Sequence, residues 1–392
     1  MKVVVTGVGV VSALGIGVDK NLAALRKGES GISSSPALLR TIHKLPVGEL
    51  LMTNEQLHDA LGIPQKEHLS RTALLGILAV KEAMSCVEID FSKRIGLVSS
   101  TSVGGMDLTE HFFEEFMQDN AKGRLRDVKM HDCAASTDAI AKYCGINGYT
   151  TTISTACSSA ANAVMTGVKL LKHNIVDYVL VGGTDALSAF TLNGFKSLMI
   201  LDENKCRPFD ATRAGLNLGE GAGYLLLQRE EDASEYYAKV AGFSNRNDAH
   251  HQTASSAEGN GAYLAMSDAL KMANLNPEQI SYINAHGTGT GNNDASESAA
   301  FVRLFGEKVP EFSSTKAFTG HTLAAAGGIE AVFSVLSIKF GCIFPNLHFT
   351  TPIPEYGLTP VCTFKEGVEV ESVLTNSFGF GGNCSSLIFT QQ

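Results

Sequence analysis

Short apolar runs rich in β-branched residues recur along this chain in two similar sets, each run bounded by glycine or polar residues. The first set is Val3 to Val5, Ile95 to Val98, Thr151 to Ile153, Tyr178 to Val181 and Tyr224 to Leu227. The second is Lys239 to Phe243, Ile280 to Asn284, the residues around Phe312, Val373 to Thr375 and Leu387 to Phe389. Runs of this kind read as strands. Between them lie apolar positions spaced by three and four, as in Thr72 to Met84 and in Ala161, Val164, Val168 and Leu171, which read as helices. Alternating strands and helices imply an α/β protein built in layers, and two similar sets imply duplication. No low-complexity linker separates the sets, so the expected halves are residues 1–245 and 246–392, sharing one interface.

Composition narrows the function. A chain of 392 residues with 44% hydrophobic and 18% charged residues has enough apolar mass for a large interior. A formal charge of −9 argues against nucleic-acid binding, and an acidic partner would need a local basic site. The apolar N-terminus "MKVVVTGVGVVSALG" is broken by Gly7 and Gly9 and lacks a small-residue cleavage site, so it is expected to be a buried strand. It also resembles the start of a dinucleotide-binding turn, but Ser12 replaces the third glycine and no acidic strand end follows. No segment has the roughly 18 uninterrupted apolar residues of a membrane span. Eight cysteines are expected to be reduced thiols of a cytoplasmic protein, most of them core packing.

Four segments carry candidate chemistry. In "TTISTACSSAANAVMTGVKLLK", Cys157 falls where a strand turns into a helix, a place where unsatisfied N–H groups favour thiolate. Position alone does not choose between a nucleophile and a buried packing cysteine. In "INAHGTGTGNNDASE", His286 follows a strand in a glycine-rich loop. The loop lacks the lysine of a phosphate-binding turn. Asp294 and Glu297 have cap-box spacing at the start of the helix running to Phe305, so Asp294 is expected to cap it and Glu297 can also serve a site. In "SSTKAFTGHTLAAAGGIEAVFSVLSIKFG", Lys316 and His321 precede a helix whose small residues Ala324 to Gly328 suit close packing in a central, buried position. In "TNSFGFGGNCSSLIF", Gly379, Gly381 and Gly382 permit backbone angles that can aim an N–H at a developing oxyanion.

Together with "CRPFDATRAGLNLGEGAGYLLL", these segments resemble the β-ketoacyl-acyl-carrier-protein synthases of the synthase II type, over nearly the whole chain. The resemblance implies a thiolase-like duplicated fold, layered αβαβα, and a homodimer or a heterodimer with a chain-length subunit. It implies that Cys157 accepts an acyl chain from the phosphopantetheine thioester of an acyl carrier protein. His286 and His321 then bind malonyl thioester and stabilise its enolate, with Lys316 and Glu297 as a charge-compensating pair behind them. Phe380 matches the gate residue whose N–H joins that of Cys157 in an oxyanion hole, and Val103 falls where the family limits acyl-chain depth at the dimer interface. No cofactor or metal is implied. Arg124, Arg126 and Lys129 in "GRLRDVKM", with Lys196, are the best candidates for carrier-protein docking, against the alternative of an ordinary solvated loop.

The chain departs from the commoner family pattern at Ser154, where aspartate is frequent, at Gly291, where proline is usual, and in "GGNCSS", where threonine-asparagine-glycine is common. These departures leave open a specialised ketosynthase of an aryl-polyene or polyketide pathway instead of fatty-acid synthesis. A thiolase is a rival because Cys384 sits beside the last glycine loop. A non-catalytic chain-length subunit would lack Cys157.

Overall fold

Two five-stranded arrays of identical topology meet edge to edge in the computed structural model, which describes residues 1–391. The first contains β1 (Val3–Ser12), β2 (Ile95–Ser100), β3 (Thr150–Ile153), β4 (Tyr178–Asp185) and β5 (Gly221–Arg229). The second contains β6 (Ala238–Asn247), β7 (Tyr282–Asn284), β8 (Glu311–Ser313), β9 (Ser372–Gly379) and β10 (Asn383–Thr390). Their spatial orders are β3-β2-β4-β5-β1 and β8-β7-β9-β10-β6, joined by antiparallel pairing of β1 with β6. In both, the first two pairings are parallel and the last two antiparallel. The duplication expected from the two sets of apolar runs is therefore present strand for strand. Residue 245 lies inside β6, the first strand of the second array. We accordingly propose the turn between Arg229 and Ala238 as the division between the halves.

Six helices complete the layers: α1 (Arg71–Ser85), α2 (Cys133–Cys144), α3 (Ser159–Lys172), α4 (Asn260–Ala273), α5 (Gly291–Phe305) and α6 (Ala326–Phe340). The α3 and α6 helices pack on each other and on strands of both arrays, forming the middle layer. Outside lie α1 and α2 against the first array, and α4 and α5 against the second, giving αβαβα. The stretch Leu323–Phe340 is long and apolar enough to cross a membrane. Its place between two sheets explains that apolarity, because α6 is buried from Ala326 to Ile338 on every face.

Buried strands covered on both faces read as continuous apolar runs, as β1 does. Its Gly9 belongs to the strand and not to a nucleotide-binding turn: a Cβ there would lie 1.9 Å from the Ala79 carbonyl oxygen of α1. The middle layer needs a similar approach, since a Cβ on Gly223 of β5 would lie 2.3 Å from the Ile329 nitrogen of α6. One local expectation fails. The α5 helix starts earlier than its cap-box spacing suggested, with Thr290 as the capping residue accepting the Asn293 N–H. Asp294 instead accepts N–H groups from Phe209 and Gly289, bracing the loop that precedes the helix.

Gly223→Ala should lower the unfolding free energy by about 1–3 kcal/mol, the usual cost of overpacking. Gly194→Ala, in the helix Ala189–Ser197 with nothing within 4 Å of the new methyl group, should instead be neutral or stabilising by up to about 1 kcal/mol. Urea unfolding midpoints of the two variants check the contrast.

Candidate active site

In open α/β sheets, functional groups gather beyond the carboxyl ends of parallel strands. Here Cys157 follows β3, His286 follows β7, Lys316 and His321 follow β8, and Phe380 follows β9. The duplicated topology also puts Cys157, before α3, and His321, before α6, at equivalent points of the two halves. The backbone turns sharply just before Cys157, where Ala156 has φ 52°. That left-handed conformation costs a non-glycine residue on the order of 1 kcal/mol. Ser159 holds the turn by accepting the Thr155 N–H at 2.8 Å and donating to the Ala156 carbonyl at 2.6 Å.

The Cys157 thiol is buried, and burial pushes it up to about 11. The Lys316 charge and the backbone N–H groups of Phe380 and Cys157 oppose this without overcoming it. A resting thiolate, expected from the helix terminus, is therefore disfavoured, because desolvation of the anion outweighs the dipole. The two N–H groups come from the segments expected to form an oxyanion hole, which lie against each other: a Cβ on Gly379 would be 3.1 Å from the Cys157 nitrogen. His321 lies beside them, its Nε2 at 3.0 Å from the Cys157 Sγ.

Both histidines are held in one tautomer. His321 Nδ1 accepts the Leu323 N–H at 3.3 Å, and His286 Nδ1 accepts from the Lys316 ammonium at 3.3 Å. The proton of each neutral ring therefore sits on Nε2. The rings lie 5.5 Å apart, nearly perpendicular. Burial holds both well below the ordinary histidine range, and the Lys316 charge adds to the effect. The Cys157, His286 and His321 ligand atoms lie within 4.8 Å of one another, close enough to chelate an ion. Chelation through Nε2 would need the opposite tautomer at both rings, against Lys316 and the Leu323 N–H, so the set presents hydrogen-bond donors rather than metal ligands.

Lys316 also donates to the His286 carbonyl at 2.6 Å and forms a buried ion pair with Glu330 of α6. Its carboxylate partner is thus Glu330, not the expected Glu297. Glu297 accepts the His286 and Gly287 N–H groups at 2.9 and 2.8 Å and the Asn376 amide at 3.0 Å, fixing the loop that carries His286. Burial raises both carboxyls to about 7 against those partners. Glu330 was absent from the sequence reading, although it is the single charge in the apolar run "AAAGGIEAVFSVLSI". A lone charge there demands a buried partner.

Two cavities meet at Cys157. One, of about 300 Å³, reaches it past Thr288, Thr290, His286 and His321. The other, of about 510 Å³, is lined by Val103, Ser102, Phe190, Thr191, Leu198 and Leu323. Phe195 and Phe380 line both, with rings stacked 5.9 Å apart. Phe195 carried no signal in the sequence beyond its aromatic character. Cys384 packs among Ala262, Ala265 and Met266 of the outer helix α4, and burial pushes its thiol up to about 12. It lines the cavity of about 300 Å³ that reaches Cys157, but makes no hydrogen bond to Cys157 or either histidine among the described residues. Arg124, Arg126, Lys129 and Lys196 are all exposed, and the Lys196 ammonium lies 3.0 Å from His43 Nδ1.

The chain matches the family models described as the beta-ketoacyl synthase N-terminal domain, over residues 1–233, and C-terminal domain, over residues 237–350. It belongs to the beta-ketoacyl synthase family, a class of condensing acyltransferases. It is 32% identical over 408 residues to 3-oxoacyl-[acyl-carrier-protein] synthase 2 of Staphylococcus aureus (strain MRSA252), covering 99% of this chain and 98% of that protein. Among solved structures, the ishigamide ketosynthase/chain length factor superposes with a TM-score of 0.93 at 28% identity, covering 100% of this chain and 99% of that one. AntDE:AntF, a type II PKS acyl-carrier protein in complex with its ketosynthase, gives 0.87 at 26% identity, covering 100% and 99%.

The lowered histidines make a stability prediction with a definite sign. Folded His286 stays neutral while the unfolded chain protonates it below its ordinary value of 6.5, so the stability it contributes is present above that pH and lost below it. Between pH 6.5 and 5.5, the unfolding free energy of the native protein minus that of His286→Gln should therefore fall by up to about 1 kcal/mol. Urea titrations of both proteins across this range check it; a constant difference would place a protonated imidazole in the folded site.

Proposed function

We propose that this protein is a β-ketoacyl-acyl-carrier-protein synthase in which Cys157 carries the acyl chain and His286 and His321 stabilise the malonyl-derived enolate. The observation that carries this is the pair of Nε2–H donors fixed beside a buried thiol at the junction of two cavities. In the first half-reaction, the Cys157 sulfur bonds to the acyl carbonyl carbon, the arm's carbon–sulfur bond breaks, and the thiol proton leaves with the arm. The carbonyl oxygen rests against the N–H groups of Cys157 and Phe380 as its charge develops. In the second, malonyl thioester on a carrier protein loses carbon dioxide, and the electron pair passes into an enolate whose oxygen takes both histidine N–H bonds. The enolate carbon then attacks the acyl-Cys157 carbonyl, the carbon–sulfur bond breaks, Cys157 leaves as thiolate and takes a proton from water to regain its thiol, and the chain is two carbons longer. Lys316, paired with Glu330, maintains the His286 tautomer throughout. We further propose that the enzyme works in the cytoplasm.

Val103 bounds the cavity we assign to the acyl chain, with fatty-acid biosynthesis as the pathway. The Ser102 hydroxyl on the same wall, which has no hydrogen-bond partner among the described residues, favours a second assignment, to a specialised polyketide or aryl-polyene ketosynthase whose growing chain is more polar than an alkane. Mass spectrometry of acyl-Cys157 after exposure to saturated and to oxygenated or conjugated acyl-carrier thioesters separates the two. The helix Met106–Gln118 buries none of its residues and exposes Phe113, Phe116 and Met117, a surface suited to a partner subunit in a homodimer or a heterodimer with a chain-length subunit.

Cys157→Gln should abolish acyl-enzyme formation and condensation yet still release carbon dioxide from malonyl-carrier protein, since both histidines remain. Adding His286→Ala or His321→Ala should suppress that release by on the order of 10²–10³-fold, the usual effect of losing an oxyanion donor. Undiminished release from both folded double variants would overturn the histidine assignment while leaving that of Cys157.

Docking of an acidic carrier on a protein of charge −9 needs a local cationic face, for which we propose Arg124, Arg126, Lys129 and Lys196. Arg124→Glu with Arg126→Glu should raise KM for carrier-bound substrate on the order of tenfold, or about 1.4 kcal/mol. Small thioester mimics should be unaffected; equal effects on both would remove the loop from the docking surface.

A further inference from the structure

The loop that departs from the commoner family pattern, "GGNCSS", places Asn383 where its side chain bridges the two halves of the molecule. Its Oδ1 accepts from Ser158 Oγ at 2.6 Å, Asn162 Nδ2 at 3.0 Å and Asn245 Nδ2 at 2.7 Å. Ser158 directly follows Cys157, and its hydroxyl also reaches the Thr155 carbonyl at 2.7 Å. Asn162, one turn along α3, donates to Thr155 Oγ1 at 2.9 Å. Asn245 of β6 also donates to Asn162 Oδ1 at 2.8 Å and Ser385 Oγ at 2.9 Å. The amide thus ties the turn before Cys157, the start of α3, β6 and the end of the Phe380 loop into one network.

The tie matters because the Cys157 and Phe380 N–H groups come from separate segments. Ser159 holds the Cys157 turn, while the Phe380 loop is held by the Gly381 N–H on the Gln252 carbonyl at 2.7 Å and the Asp248 N–H on the Gly382 carbonyl at 2.8 Å. Neither set of bonds joins the loop to the turn. Phe380 is followed by Gly381 and Gly382 at φ 82° and 79°, and Cys157 is preceded by Ala156 at φ 52°. On the upstream side of Phe380, a Cβ on Gly379 would lie 3.0 Å from the Thr155 carbonyl oxygen, so backbone already rests on the turn there. Downstream, the Asn383 side chain alone reaches Ser158 among the hydrogen bonds of the described residues, and the Ser385 hydroxyl adds a bond to Asn162 Oδ1 at 3.1 Å. A threonine hydroxyl, with one donor and two acceptor sites on a shorter stem, cannot accept from all three groups.

We propose that Asn383 is a positioning residue that sets the spacing of the Cys157 and Phe380 N–H donors. The proposal rests on the acyl-transfer role assigned to Cys157. Its signature is selective. Acylation of Cys157 needs both N–H groups, whereas alkylation by iodoacetamide needs only the sulfur, and carbon dioxide release in the Cys157→Gln background needs the histidines.

Asn383→Ala should slow acylation by acyl-carrier thioester about 10- to 100-fold with KM little changed, while alkylation and carbon dioxide release stay within about threefold of their parents. Asn245→Ala, which removes one donor to Asn383 without touching the Cys157 turn, should slow acylation in the same direction by less, and serves if Asn383→Ala does not fold. Intact-mass spectrometry follows acylation and circular dichroism verifies the fold. Equal losses in all three reactions, or unaltered acylation in the folded variants, overturns the proposal alone. Failure of the unaltered protein to acquire an acyl group on Cys157 overturns the functional assignment and this proposal together.

Discussion

The buried pair of Lys316 and Glu330 is the constraint on which the site depends. A lysine ammonium at 2% exposure is tolerated only because a carboxylate from the central helix α6 meets it. The pair therefore locks the turn after β8 to the middle layer. The same ammonium then reaches the His286 carbonyl and Nδ1, so one charge sets the loop's position and the imidazole's tautomer, and adds to the burial that keeps the ring neutral. Replacing either partner would leave an unpaired charge under the two histidines, a fault of several kcal/mol in a place where the backbone cannot yield.

The backbone cannot yield because the middle layer is built on contacts between main chains. Gly223 of β5 and Gly328 of α6 approach so closely that a methyl group on either would meet backbone at 2.3 to 2.4 Å. Close packing there lets α3 and α6 lie side by side between the sheets. Their N-termini can then present Cys157 and His321 to one another from topologically equivalent turns. Duplication thus supplies more than symmetry: it provides two similar strand-to-helix turns facing each other, one carrying the thiol proposed as nucleophile and the other a histidine donor.

All ten strands, the helices α1 and α3 and the central place of α6 were legible in the pattern of apolar residues, because each element is covered on the face its periodicity marks. Cys157, His286, Lys316 and His321 were legible as candidates because each follows a strand. Their convergence was legible only through the family resemblance, since spacing along the chain does not encode which strand ends meet. The misreadings share a physical origin. Asp294 looked like a helix cap because its spacing to Glu297 fits one, but both carboxylates are buried and turn to loop N–H groups. Lys316 was paired with Glu297 because Glu330 is hidden in an apolar run. The thiol of Cys157 was expected to ionise from its place at a helix terminus, a local rule that omits the cost of a dry surrounding.

That dryness reconciles a thiol raised to about 11 with a nucleophilic role. In a site of low polarity an anion is costly at rest, yet every fixed dipole acts more strongly on charge that appears there. Four N–H groups converge on the space around the Cys157 sulfur: two from the main chain of Cys157 and Phe380, two from His286 and His321. None of the four carries a full charge. A neutral donor holds developing negative charge without attracting a permanent counter-ion, whereas an imidazolium beside a thiol would trap it as a stable ion pair and bind carboxylate in place of releasing it. Burial keeps both rings neutral and the Lys316 charge adds to the effect, while that charge is itself paired with Glu330. The geometry therefore favours charge only while bonds are being made or broken, first on the thioester oxygen and then on the enolate.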